Sequence, residues 1–329
     1  MARDSVRSVW LTWRAAMERA LYGPGGFYLR ERPSGHFRTS VNASPVFAEA
    51  MLAVLTDVDA RLGHPPRLDL VDMGAGEGAL VSTVLALAPP DLARRLRVTA
   101  VDLAPRPAGL AEEIVWTSGP PDSITGLVVA NEWLDNVPLD VVERTERGPR
   151  LVEVDSATGR ERLGPPPHDA DLEWLERWWP LTRVGQRAEV GRTRDEAWAS
   201  VIRRIARGRA IAVDYAHFLA ERPPCGTLTG YRDGVVVPPV PDGSCDITAH
   251  VALDACAEAG RTAGPPAVLT TQRAALSALG FDGRRPALET ARSDPRGYLR
   301  ALTRASQEAE LINPDGLGGF IWLCQDIDR

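Results

Sequence analysis

No lysine occurs in this 329-residue chain; all 38 basic residues are arginine. The omission points to biased codon usage, but its consequence is chemical. A Walker A lysine, a pyridoxal Schiff base and a lysine general base are all excluded. Cysteine is scarce too. Cys225, Cys245, Cys256 and Cys324 lie far apart and form no C-x-x-C pair, so the spacing of a zinc site is lacking and buried free thiols are expected. No metal is expected. No apolar run approaches the length that spans a bilayer, so no membrane partner is expected. Met1-Ala2-Arg3-Asp4 shows no apolar signal region, which makes a cytoplasmic location the default expectation. The net charge is −6 with arginines scattered along the chain; there is no basic stripe for nucleic acid. The hydrophobic share of 44% is that of an ordinary globular protein, long enough for one large domain or two smaller ones. A homodimer is compatible with all of this.

The most informative stretch is Leu68-Asp69-Leu70-Val71-Asp72-Met73-Gly74-Ala75-Gly76-Glu77-Gly78. An apolar run ends in an acidic residue, glycines follow at alternate positions, and a helix-like segment begins at Ala79. This reads as a buried strand, a tight turn and a helix, the geometry that places a nucleotide-like ligand at the carboxyl end of a parallel strand. The spacing is G-x-G-x-G, not the dinucleotide G-x-G-x-x-G. A second apolar run, Val98 to Val101, ends in Asp102, 24 residues after Gly78. An acidic residue there can accept both ribose hydroxyls. The pair suits S-adenosylmethionine better than NAD or ATP; the alternative is a tight turn without a ligand.

Strand and helix patterns alternate from Leu68 to Val142, with apolar runs at Leu68–Met73, Val98–Asp102, Ile114–Trp116 and Leu127–Ala130. That is the pattern of a doubly wound parallel sheet. Before it, Ser8 to Leu21 reads as a helix, and Ser44-Pro45 starts another that runs to about Leu62. After it come a Pro-rich loop, an aromatic helix with Trp174, Trp178 and Trp179, an amphipathic helix from Asp195, a strand to Tyr215, and a final strand from Gly319. The tryptophans read as core or lid packing. Asp246 reads as the cap of a helix containing His250.

A second polar cluster stands at a strand end: Asn131-Glu132-Trp133-Leu134-Asp135-Asn136. In an open parallel sheet that position faces the ligand crevice. Methyl transfer to nitrogen requires a group that orients the nucleophile and removes its proton. Glu132 and Asp135 can do this for an amine or a guanidinium, whose pKa exceeds ~12, and two carboxylates can grip a guanidinium. Trp133 can face a cation. The competing reading is a helix start with Asn131 as cap, and both can hold together. Asp214 or His217, past a later strand, are further candidates for ligand contact.

Taken together, several segments resemble the MidA-like family of S-adenosylmethionine-dependent methyltransferases. They are Tyr22-Gly23-Pro24-Gly25-Gly26-Phe27-Tyr28, Gly35-His36-Phe37-Arg38-Thr39-Ser40, Ser44-Pro45-Val46-Phe47, Gly74 to Gly78, Ala130 to Asp135, Asp214-Tyr215, Gly226-Thr227-Leu228, Asp246 to Val251, Thr271-Gln272 and Leu279-Gly280. The resemblance runs in order along nearly the whole chain. It implies an α/β, Rossmann-like class I methyltransferase with a mostly parallel seven-stranded sheet. Residues 1–64 would form a helical and loop cap, and residues 65–329 the methyltransferase domain, with insertions at about 146–195 and 220–270. It implies S-adenosylmethionine as cofactor, held by Asp72, Gly74, Gly76, Gly78, Asp102, Asn131 and Thr39, and catalysis by Glu132, Asp135 and His36. The family's mitochondrial member dimethylates an arginine of a respiratory complex I subunit, so a protein or peptide arginine is the first expected acceptor. The chain departs from the family at His36, usually Asp, and at Asn136, Ala216, Ala252 and Asp233-Gly234. These departures keep two alternatives open: a small-molecule acceptor, and a non-catalytic assembly factor that retains the cofactor pocket.

Overall fold

The computed structural model describes residues 9–31 and 39–328. Its centre is a seven-stranded sheet of β1 (Leu68–Met73), β2 (Leu96–Val101), β3 (Ile114–Thr117), β4 (Ile124–Asn131), β5 (Ile205–Asp214), β6 (Val268–Thr271) and β7 (Ile321–Asp328). Their spatial order is β6-β7-β5-β4-β1-β2-β3. All neighbours are parallel except the two pairs that β7 makes, with β5 and with β6. This is the expected Rossmann-like α/β sheet. The strand order reverses between β1 and β4, which opens a crevice outside their carboxyl ends.

The central strands are apolar along most of their length because both faces are covered. Leu70, Val129, Ile211 and Val213 pack on one face with the helices α1 (Pro45–Arg61) and α2 (Ala79–Leu87). Val71, Val128, Ala210 and Ala212 pack on the other with α3 (Arg192–Arg204) and α4 (Leu253–Ala263). The start of α1 follows its sequence signal: the Ser44 hydroxyl accepts from the Val46 amide at 3.2 Å, and Pro45 stands in the first turn.

A second, antiparallel sheet joins Trp10–Thr12, Gly148–Asp155, Asp140–Thr145 and Arg187–Val190, with Glu161–Leu163 beside the second of these. One face packs on Trp13, Met17, Leu21 and Phe27. The other packs on the helix Asp169–Trp178, with Trp174 in it and Trp179 just past its end as core residues.

Two local readings are overturned. The expected helix from Ser8 gives way, within the described residues, to the strand Trp10–Thr12, because Leu11 pairs with Val154. The helix begins only at Trp13 and continues as a π-helix over Glu18–Tyr22. Asp246 caps no helix: Asp246–Thr248 is a strand paired with Thr229–Tyr231, and the helix starts at Leu253. In both places strand pairing overrides a local signal. The four cysteines are free, but Cys225 is exposed, not buried. Among the described residues no helix is long and apolar enough to cross a membrane, and no group of three His, Cys, Asp or Glu side chains is placed to hold a metal.

The sheet leaves no room where β4 and β5 meet at Gly126 and Gly208, which are register partners with φ of 151° and 138°. A Cβ on Gly208 would lie 1.9 Å from the Gly126 carbonyl oxygen. Gly208→Ala is therefore expected to destabilise the protein by about 2 kcal/mol or more. Urea unfolding measures this as a lowered midpoint at unchanged slope; a wild-type midpoint would contradict so close an approach.

Candidate functional site

A cavity of about 890 Å³ opens outside the carboxyl ends of β1, β2 and β4. Thr39, Asp72, Gly74, Gly76, Asp102, Asn131, Glu132 and Asp135 all line it. Gly78 does not: it closes the turn at the head of α2, against Leu110. His36 lies outside the described residues.

After β1 the chain reverses through Gly74 and Gly76, whose φ values of 69° and 57° favour glycine. The amides of Gly74 and Ala75 both donate to the Val101 carbonyl oxygen, at 2.9 and 3.1 Å. The Gly76 amide donates to Asp102 Oδ2 at 2.7 Å, and the Ala104 amide to Asp102 Oδ1 at 2.8 Å. Asp102 thus straps the turn to the end of β2, and each of its oxygens keeps a lone pair for a further donor. A Cβ on Gly76 would meet nothing within 4 Å. Asp72, 4% exposed, accepts no hydrogen bond among the described residues. Burial, with the Asp102 charge beside it, pushes its carboxyl up to about 8. An open glycine turn, two carboxylate oxygens able to take a diol, and an unpartnered acid fit a ligand with a ribose and a cationic centre.

Beyond the turn stands Glu132, a non-glycine residue at φ 50°. Its amide donates to the Val213 carbonyl oxygen at 2.8 Å, which holds it at the end of β5. Oε1 accepts from the Ser40 amide and from Asn131 Nδ2, each at 3.0 Å, and Oε2 accepts from the Tyr215 hydroxyl at 3.2 Å. Burial nevertheless pushes this carboxyl up to about 7. Asp135, 2% exposed, accepts from the Thr248 hydroxyl at 2.7 Å through Oδ2, while among the described residues its Oδ1 has no partner. Among the described residues Asn131 Oδ1 has no partner either. Asn131 caps no helix, since its amide group is turned to Glu132. Trp133 lines the cavity, and a Cβ on Gly74 would come within 2.9 Å of its ring.

Asp214 and His217 stay out of the cavity lining. Asp214 Oδ2 accepts from the amides of Leu134 and Asp135 at 3.0 and 3.2 Å, and so braces the turn that carries Asp135. His217 packs edge-on against Trp179 at 4.6 Å. Burial and the Arg222 guanidinium push it down to about 3, so it is neutral at physiological pH.

Several cavity residues were not among the expected site residues. Tyr22, Tyr28, Tyr215, Tyr231, Asn136 and Asp246 also line the cavity. Arg194, 1% exposed, donates to the carbonyl oxygens of Asp135, Val137, Ala249 and His250. A signal for Arg194 existed: it shares the apolar face of its helix with Trp198, Val201 and Ile202 at helical spacing.

The unpartnered acid has a consequence for stability. Folded Asp72 holds its proton up to about pH 8, whereas in the unfolded chain it ionises near its ordinary value of 3.8. The folded state therefore binds more protons between these values, and stability falls as pH rises through that window. The melting advantage of Asp72→Asn over wild type is expected to be about 2 °C or more greater at pH 8 than at pH 5. Equal melting differences at the two pH values would refute the assignment.

Comparison with known proteins gives this geometry its context. Residues 47–269 match the family described as "Putative S-adenosyl-L-methionine-dependent methyltransferase". Among solved structures, a Burkholderia thailandensis protein bound to S-adenosyl-homocysteine is similar at 27% identity and a TM-score of 0.79, covering 97% of this chain and 89% of that one. A native crystal structure of a protein of the same superfamily from that organism is 26% identical with a TM-score of 0.76, covering 97% and 88%. No curated protein matches the chain. With the family spanning more than half of the chain and its glycine turn at the head of a Rossmann-like sheet, the protein belongs to this family of S-adenosylmethionine-dependent methyltransferases.

Proposed function

We propose that the chain methylates a side-chain nitrogen of a protein or peptide, arginine first, with Glu132 as the base that orients and deprotonates the acceptor. The observation that carries this is the electrostatic character of the cavity. Asp72, Asp102, Glu132, Asp135 and Asp246 all line it, and among the described residues no arginine forms an ion pair with any of them. The two arginines in the lining are committed elsewhere: Arg30 to the Gly243 carbonyl oxygen, Arg106 to those of Leu110, Ala111 and Ile114. A cavity so lined favours cations and disfavours anionic acceptors.

S-adenosylmethionine supplies the methyl group as an electrophile on a sulfonium. Asp102 would hold the ribose and Asp72 would face the cofactor's positive charge, with Thr39 and Asn131 completing that half. On the acceptor side Glu132 accepts the nitrogen's proton at Oε2, where its one partner among the described residues is the Tyr215 hydroxyl. A carboxyl held near 7 is ionised often enough at neutral pH to act as base and is basic enough to take the proton. Asp135, fixed by Thr248, adds negative charge on the same side.

Two substitutions separate the halves. Asp102→Ala removes charged hydrogen bonds and is expected to weaken cofactor binding by ~1.5–3 kcal/mol; unchanged affinity by calorimetry would remove Asp102 from the site. Glu132→Gln keeps shape and loses the base. With methyl-labelled cofactor and an extract of cells lacking the protein, wild type should label protein arginine. The variant should lose ~10²-fold or more in rate at unchanged cofactor affinity. Full activity of the variant would sink its role as base, and label confined to small molecules would sink the protein acceptor.

A further inference from the structure

The cavity continues past Glu132 to a wall built from other elements than the glycine turn: the segment around Tyr22 and Tyr28, and the paired strands that carry Tyr231 and Asp246. The Tyr22 and Tyr28 rings stack with centroids 5.6 Å apart and 23° between planes. The Tyr28 hydroxyl, at 2.7 Å, and Asn136 Nδ2, at 3.1 Å, both donate to Asp246 Oδ1. The Tyr22 hydroxyl is directed away, to the Asn136 carbonyl oxygen at 3.1 Å. Asp246 is 3% exposed, and among the described residues no side chain donates to its Oδ2 and no arginine pairs with it, while the adjoining Ile247 amide also favours its charged form.

One oxygen of this buried carboxylate is fixed by two side-chain donors; the other has no side-chain partner among the described residues, and Asp246 lines the cavity. A buried charge left in that state is costly until a cation meets it. Burial, reinforced by Asp135, accordingly pushes the carboxyl up to about 7. The stacked tyrosines add a second attraction, since aromatic faces favour cationic groups. Nothing in the handling of a proton by Glu132 calls for this second carboxylate.

We propose that Asp246, set by Tyr28 and Asn136 beside the stacked tyrosines, is a specificity-determining subsite whose Oδ2 binds a cationic nitrogen group of the methyl acceptor. The subsite rests on the cationic-acceptor reading above, and the test keeps the two apart. The protein is saturated with S-adenosylhomocysteine at pH 8.5 and titrated calorimetrically with butylguanidinium, butylammonium and the uncharged butylurea. The wild-type complex should bind a cation at least about tenfold more tightly than the urea, the two cation arms showing which head group fits. Asp246→Asn should lose about tenfold or more of that affinity, the scale of a charged hydrogen bond, while keeping its affinity for S-adenosylhomocysteine. Tyr28→Phe keeps the carboxylate but removes a donor that favours its charged form. It should weaken cation binding more at pH 6.5 than at 8.5, and it decides the matter if Asp246→Asn does not fold. Wild-type cation binding by Asp246→Asn, with loss in Glu132→Gln, would overturn the subsite and leave the cationic acceptor standing. Preference for butylurea, or no binding of either cation, would overturn the cationic acceptor and the subsite with it.

Discussion

One buried guanidinium holds together the side of the cavity that carries Asp135 and Asn136. Arg194 reaches from α3 to four carbonyl oxygens, those of Asp135, Val137, Ala249 and His250. Asp214, at the end of β5, answers from the opposite side by accepting the amides of Leu134 and Asp135. The turn bearing Asp135 and Asn136 is thereby gripped through its carbonyls by a cation and through its amides by an anion. A helix, two sheet strands and the strand that carries Asp246 are joined at this point. Losing the guanidinium would orphan the four carbonyls and strip Asp135, Asp214 and Glu189 of their nearest compensating charge, which is why a buried charge is far more costly to unpair than to replace outright.

The same electrostatics explain why the cavity is expensive to build. Asp72, Glu132 and Asp246 all have carboxyls pushed well up by burial. Glu132 also sits in a left-handed backbone conformation that glutamate disfavours. None of this serves folding, since asparagine, glutamine or a small apolar residue would relieve it. Strain and unpaired acids gathered in one cavity are what a site for a cationic ligand requires, because the ligand's charge offsets the repulsion that the empty site carries.

How much of this was legible in the sequence follows from the range of the interactions. The sheet, the glycine turn and the acids that end β1 and β2 were readable because period, turn chemistry and strand ends are local signals. Glu132 and Asp135 were readable because they follow a buried strand directly. The second sheet was not: Trp10 and Leu11 fit a helical spacing, and only their pairing with Asp155 and Val154 makes them a strand. Asp246 looked like a cap for the same reason, its partner strand being invisible locally. His217 looked like a candidate for ligand contact because a histidine past a strand end shows nothing of the tryptophan and arginine that bury it and keep it neutral.

The two halves of the cavity therefore differ in how they are assembled. The strap from Gly76 to Asp102 closes over 26 residues, within one strand–helix–strand unit. On the other side, Ser40 meets Glu132 across 92 residues, Tyr22 meets Asn136 across 114, and Tyr28 meets Asp246 across 218. The first half can form as soon as the parallel strands pair; the second exists only when the N-terminal segment has docked on the completed sheet. Substitutions of Tyr22 or Tyr28 thus act on the wall that carries Asn136 and Asp246 while leaving the strap at Asp102 untouched. With that wall assigned to the acceptor, as proposed, the acceptor can diverge while the cofactor stays the same, because the contacts that build the wall are not those that hold the strap.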